Sequence, residues 1–219
     1  MHSHPTRCFT AGLLLSLLSL PAARAAGSVQ VRCLDAKDQP VADAVTWLTP
    51  LDTAAAVTPP AEPMVIEQKG EEFHPYVTPV VVGTRISFPN HDTVQHHVYS
   101  LSKPKRFEIP LYSGESKEAI TFDQPGVVTL GCNIHDWMVA YVVVLTSPYY
   151  AKSDATGSAM ITGLPPGRYR LAVWHPRHPD ELTRDVVVAG AEANPQVITL
   201  KLKPDRRIRR APDASGEGY

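Results

Sequence analysis

Apolar and polar residues alternate in short bursts along most of this chain, and no stretch of ten residues keeps a helical period. The first burst spans 28–33 (Ser-Val-Gln-Val-Arg-Cys), turns at 35–40, and is followed by a second at 41–48. Residues 50–63, rich in Pro, Ala and Thr, read as a connector. The bursts resume at 64–68, 79–88, 96–100, 118–122, 126–130 and 139–145. Turn signals separate them, among them Pro89-Asn90-His91-Asp92, Ser113-Gly114 and Gln124-Pro125-Gly126. A last series, 158–162, 168–174, 182–188 and 196–203, is punctuated by Asp154-Ala155-Thr156-Gly157 and Gly163-Leu164-Pro165-Pro166-Gly167. Many short strands at this spacing predict an all-β protein, a sandwich or barrel.

Composition agrees. Proline (21) outnumbers glycine (13), and valine and threonine recur in the bursts, which favours strands and turns over long helices. The formal net charge of -1 supplies no field to attract nucleic acid or anionic lipid. The N-terminus changes the picture more. Arg7 precedes an apolar run at 11–20 that is too short to span a bilayer; Pro21 breaks it, and Ala23-Arg24-Ala25 fits a small-x-small cleavage site. Residues 1–25 are therefore expected to be an export signal, cut after Ala25, leaving no stable membrane span and placing the mature chain in the periplasm. Cys8 leaves with the signal, so Cys33 and Cys132 remain, and in an oxidising compartment a Cys33–Cys132 disulfide is the first alternative to any metal.

One segment concentrates chemistry. In Gly126-Val-Val-Thr-Leu-Gly-Cys132-Asn-Ile-His135-Asp-Trp-Met138 a buried strand runs into Cys132-x-x-His135-x-x-Met138, and a second strand leaves after Met138. A thiolate, an imidazole and a thioether thus share one short loop. Hard cations do not select a thioether, and zinc sites prefer Cys, His and carboxylate. Two His, one Cys and a weak axial Met make the blue-copper set. The missing histidine must come from an upstream strand, and Gln95-His96-His97-Val98 offers two.

With these residues in view, 62–147 resembles a cupredoxin, and the Cys-x-x-His-x-x-Met spacing is similar to the short ligand loop of the amicyanin type. The segments Phe88-Pro-Asn-His91-Asp-Thr-Val-Gln-His96-His97 and Gly131-Cys-Asn-Ile-His135-Asp-Trp-Met138 also resemble methylamine-utilization and plastocyanin-like proteins of bacteria. The resemblance implies one type 1 copper ion on His96, Cys132, His135 and Met138. It implies His97 in the place of a family Asn, where it would steady the ligand loop or serve as the alternative ligand. Neighbouring residues of an undistorted strand face opposite ways, so His96 and His97 should not both face one metal. It further implies an electron port at His135, a docking patch around Trp137, and a redox protein (a dehydrogenase or cytochrome) as partner.

The outer pieces, 26–61 and 148–203, resemble the two parts of a carboxypeptidase-regulatory-like or Cna-B-like sandwich, and together approach the ~100 residues of an immunoglobulin-sized domain. The expected architecture is thus a cupredoxin Greek-key β-sandwich or barrel (62–147) set inside a split immunoglobulin-like sandwich, with a disordered tail at 204–219. Two consecutive domains are the alternative. The expected function is single-electron transfer by a non-enzymatic copper protein, with methylamine oxidation as the pathway the resemblance suggests. The alternatives are a periplasmic copper carrier or chaperone, and a metal-free interaction module held by Cys33–Cys132. His74, His91 and Asp136 read as solvated turn residues. His175 and His178 have a metal-compatible gap but no obvious third ligand.

Overall fold

A computed structural model describes residues 26–115, 118–178, 180–190 and 193–205. The expected export signal at 1–25 and the tail from 206 onward lie outside these residues. In chain order the strands are β1 (Gly27–Asp35), β2 (Val45–Pro50), β3 (Met64–Val65), β4 (Glu67–Gln68), β5 (Phe73–His74), β6 (Val77–Val81), β7 (Thr84–Ser87), β8 (His96–Ser100) and β9 (Phe107–Tyr112). They continue with β10 (Ile120–Phe122), β11 (Gly126–Gly131), β12 (Val139–Leu145), β13 (Tyr150–Lys152), β14 (Ser158–Leu164), β15 (Gly167–Trp174), β16 (Leu182–Val188) and β17 (Ala193–Leu200). Among the described residues no helix is long and apolar enough to cross a membrane.

The sheets are mixed and fall into two groups. Strands from the two ends of the chain form the sheets β14-β1-β17 and β13-β2-β15-β16. Their alternating inward residues, including Val29, Val31, Cys33, Leu48, Ile161, Leu171 and Val186, share one core. The intervening strands form β6-β12-β11-β8-β9 and β10-β7-β3, with β4-β5 as a small hairpin. Their core includes Ile66, Phe88, Val98, Phe122, Val128, Leu130 and Val142. These are the paired layers of a cupredoxin-like β-sandwich, and among the described strands the sheets do not close into a barrel.

The continuous apolar run of β12 has a clear cause. Paired with both β6 and β11, it is buried on two faces. Ala140, Val142 and Val144 enter the middle core, while Val143 and Leu145 meet Val45 and Val77 at the seam with the outer sheets, flanked by Trp47, Tyr76, Tyr141 and Trp174.

Several expectations are corrected. The second strand begins at Val45 and not at 41, because Asp43 takes a left-handed φ of 62°. The 79–88 burst is two strands, split where Gly83 has φ 89°. Strand β9 was absent from the sequence reading; Pro110 disguises it, and it survives because it is the edge of its sheet. The Cys33–Cys132 disulfide is not formed. Both cysteines are free, and each points into a different core, so the metal-free module held by that bridge falls with it.

Candidate metal centre

Strands β11 and β12 are antiparallel neighbours whose last pair is Gly131↔Val139, so residues 132–138 are the hairpin loop between them. The loop tightens on itself where Met138 N–H donates to the His135 carbonyl at 3.0 Å. Strand β8 runs antiparallel on the other side of β11, pairing Tyr99 with Gly131. Continued in that register, the chain beyond Gly131 travels alongside β8 toward its first residue, His96. The ring of Tyr99 lies over Gly131, where an added Cβ would sit 3.0 Å from it.

This geometry brings three expected residues together. One donor atom each from His96, Cys132 and His135 lies within 4.8 Å of the other two, the one such cluster of three or more His, Cys, Asp or Glu among the described residues. Cys132 Sγ is 3.8 Å from His135 Nδ1, and the His96 and His135 rings stand 5.0 Å apart. His96 and Cys132 are buried, and His135 is half-buried. Met138 is 2% exposed, packs in the same core cluster as Cys132, and lines the same shallow cleft. Trp137 sits beside His135, ring centres 5.2 Å apart.

His97 is not in the cluster. The β8–β9 register shifts between His96 and Val98, a bulge that lets both histidines be buried while aiming them differently. His97 Nε2 meets Glu108 Oε1 at 2.9 Å and its ring tilts against Tyr99. His74 and His91 are exposed beside Glu72 and Glu67.

The residue that sequence reasoning missed is Asp92. Its Oδ2 lies 2.8 Å from His96 Nε2, and the carboxylate also accepts the N–H groups of Gly70 (2.6 Å) and Glu71 (2.8 Å). Partial burial works to raise the Asp92 pKa, but the bonds from Glu71, His96 and Gly70 outweigh it and hold the carboxyl below its ordinary value. Asn90 shapes the turn that aims it: its side-chain amide donates to the Val94 and Tyr112 carbonyls, and its Oδ1 accepts Asp92 N–H at 2.9 Å. The signal available in the sequence was an Asx turn at Asn90 that sets a carboxylate, Asp92, four residues before a candidate ligand.

The residues present fit a soft metal ion. His96 Nδ1 is buried without a hydrogen-bond partner, as is His97 Nδ1, but only His96 lies in the cluster with Cys132 and His135. A lone pair kept from water is costly unless something binds it. Thiol sulfur and imidazole nitrogen are donors for copper or zinc, and a neighbouring buried thioether tips the set toward copper.

The second histidine pair behaves otherwise. His175 Nδ1 accepts Arg177 N–H at 3.1 Å and its ring also bonds the Ala42 backbone, while His178 Nδ1 meets the Lys201 backbone. These ring nitrogens bond the backbone, and neither histidine joins a cluster of metal-ligating groups among the described residues.

No family model matches the chain, and no curated protein matches it. Among solved structures it is similar to a reduced amicyanin variant, at 20% identity and a TM-score of 0.36 over 39% of this chain and 85% of that one. It is similar to the purple cupredoxin from Nitrosopumilus maritimus at 23% identity and a TM-score of 0.34, over 37% of this chain and 99% of that one. A copper-containing nitrite reductase from Thermus scotoductus matches at 25% identity and a TM-score of 0.36, over 52% of this chain and 28% of the enzyme. With likenesses this partial, the reading of the site rests on its own side chains.

Proposed function

We propose that this protein is an exported, periplasmic type 1 copper protein that passes single electrons between redox partners, holding one copper ion with His96, Cys132, His135 and Met138. The observation that carries the reading is the cluster of His96, Cys132 and His135 donor atoms within 4.8 Å, with His96 Nδ1 buried and unpartnered. Bound copper would supply one-electron chemistry between its two common oxidation states. The chain's own part is rigidity and exclusion of water. Cys132 and Met138 are rooted in the sandwich core, and His96 is gripped by Asp92, so the donors have little room to rearrange. His135, less buried than the other two, is the natural electron port, with Trp137 beside it and exposed Ile134 (49%) on the same loop as a docking surface.

A closed four-donor site leaves no position for substrate, which favours a carrier over an enzyme. We propose a dehydrogenase or cytochrome as the partner, methylamine oxidation as the pathway, and the outer sandwich as the module into which residues 62–147 are inserted. Reduction of the Cu(II) form by a methylamine-oxidising dehydrogenase tests the pathway.

The deciding experiment is a visible spectrum of the mature protein after Cu(II) addition, repeated with Cys132→Ser. An intense thiolate-to-copper band that vanishes in the variant, together with a reversible one-electron wave in voltammetry, is the expected result. Absence of copper binding would overturn the reading. Tight Cu(I) binding with no band, and loss of metal to a competing chelator, would make the protein a copper carrier instead.

A further inference from the structure

We propose that Asp92 is a positioning residue of the metal centre, which fixes the tautomer of His96, aims its Nδ1 lone pair into the cluster and favours the oxidised metal. The last clause rests on the copper reading above; the first two do not.

A carboxylate bearing no proton can only accept hydrogen bonds. Three donors converge on this one: Gly70 N–H, Glu71 N–H and, at 2.8 Å, the His96 ring at Nε2. The His96 proton therefore sits on Nε2. In the neutral ring that leaves Nδ1 with its lone pair, and Nδ1 is the atom that is buried and without a hydrogen-bond partner. His96 is fully buried, so water does not compete for either nitrogen. Carboxylates in this position orient a ligating imidazole and raise its basicity.

The same carboxylate reaches the other arm of the site. Gly70 and Glu71 form the tip of the β4–β5 hairpin, both left-handed, with φ of 65° and 57°. In this turn the successive N–H groups of Gly70 and Glu71 both point at one anion. That anion is the Asp92 carboxylate. The Glu71 carbonyl in turn accepts the Trp137 indole N–H at 3.1 Å, and Trp137 packs beside His135. A non-glycine residue in the left-handed region is uncommon and persists where its surroundings hold it there. Here Asp92 and Trp137 grip the Glu71 peptide from its two ends, so one turn ties together the supports of both histidines.

Greater basicity at His96 stabilises the higher metal charge. Loss of such a partner typically weakens metal affinity about 10–100-fold. Acting on Cu(II) more than Cu(I), a tenfold change in their affinity ratio raises the reduction potential by about 59 mV.

The test uses Asp92→Asn, with Asp92→Glu as the conservative rescue. In the metal-free protein, nitrogen-15 NMR should place the His96 proton on Nε2 in slow exchange with water; Asp92→Asn should mix the tautomers and speed exchange, and Asp92→Glu should restore both. A native His96 protonated at Nδ1, or one unaffected by Asp92→Asn, overturns the proposal, and the native measurement decides even if the variant does not fold. In the copper-loaded protein, Asp92→Asn should keep the visible band while the potential rises by about 59 mV or more. A band with unchanged potential overturns the tuning claim alone. A native protein with no band overturns the copper reading, and the tautomer result still judges Asp92.

Discussion

The two sandwiches each bury one cysteine and carry a pair of histidines three or more residues apart, yet only one resembles a metal site. In the outer sandwich, His175 and His178 use their ring nitrogens on the backbone of Ala42, Arg177 and Lys201. Cys33 lies in an apolar core where burial pushes its thiol up to about 11, against a weaker opposing bond from Ser153. In the middle sandwich, His96 spends one nitrogen on Asp92 and leaves the other buried without a partner, and the residue clusters with Cys132 and His135. Residue type does not separate these regions. What separates them is convergence: His96 brings a buried, unpartnered nitrogen to Cys132 and His135, whereas His97, whose Nδ1 is equally buried and unpartnered, has no second donor beside it in such a cluster.

The sharpest way to break this contrast is to remove one sulfur at a time. Cys132→Ser should abolish the visible Cu(II) band completely, whereas Cys33→Ser should leave copper binding unchanged and cost ~1–3 kcal/mol of stability for burying a hydroxyl in an apolar core. Copper titration and thermal melts of the two variants check both halves.

The histidines give the next effect in size. Replacing His96 with Gln should weaken Cu(II) affinity by more than about 100-fold, since it removes a donor and strands Asp92. Replacing His97 with Gln should change it by less than about fivefold, because its contacts run to Glu108 and Tyr99. Equal losses in competition titrations would erase the distinction drawn between these neighbours.

Glycines extend the comparison to the backbone. At Gly157, φ is +76° and an added Cβ would meet the Cys33 carbonyl at 2.4 Å, so Gly157→Ala should cost ~2–4 kcal/mol and lower Tm by roughly 5–15 °C. At Gly131 the obstacle is the Tyr99 ring at 3.0 Å, a side chain that can swing aside, so Gly131→Ala should cost only ~1 kcal/mol. Calorimetry of the metal-free variants measures both.

A pH dependence extends the comparison to the outer histidine. Desolvation, aided by the Arg177 charge, lowers the His175 pKa from 6.5 to about 4, with Asp43 opposing and His178 adding to the decrease. The folded state therefore binds the His175 proton more weakly than the unfolded chain. Its contribution is fully present above pH ~6.5 and is lost as pH falls toward ~4. Denaturant unfolding of the metal-free protein should lose ~2 kcal/mol across this window, and His175→Gln should flatten the profile.

Much of this was legible in the chain itself, for a local reason. Alternation at 126–130 and 139–145 marks two strands, and Cys132, His135 and Met138 share the hairpin between them, so their proximity needs no long-range pairing. Alternation and spacing left His96 as one of two candidates and the family resemblance favoured it, while the bulge against β9 that aims the two rings differently is not revealed by alternation. Asp92 looked like an ordinary turn residue. Its role comes from Gly70, Glu71 and His96 arriving from different elements. Strand β9 was hidden by Pro110, whose tolerance depends on the strand lying at a sheet edge.

The linear order of residues thus determined the all-β class, the candidate soft donors and the loop that groups three of them, since each follows from periodicity or spacing within a few residues. Tertiary structure alone decided that the two cysteines face separate cores, that His96 and not His97 joins Cys132 and His135, and that a distant hairpin tip braces the site. Those outcomes depend on which strands pair and in what register, and such contacts are selected by burial of the whole sandwich, not by any one stretch of chain.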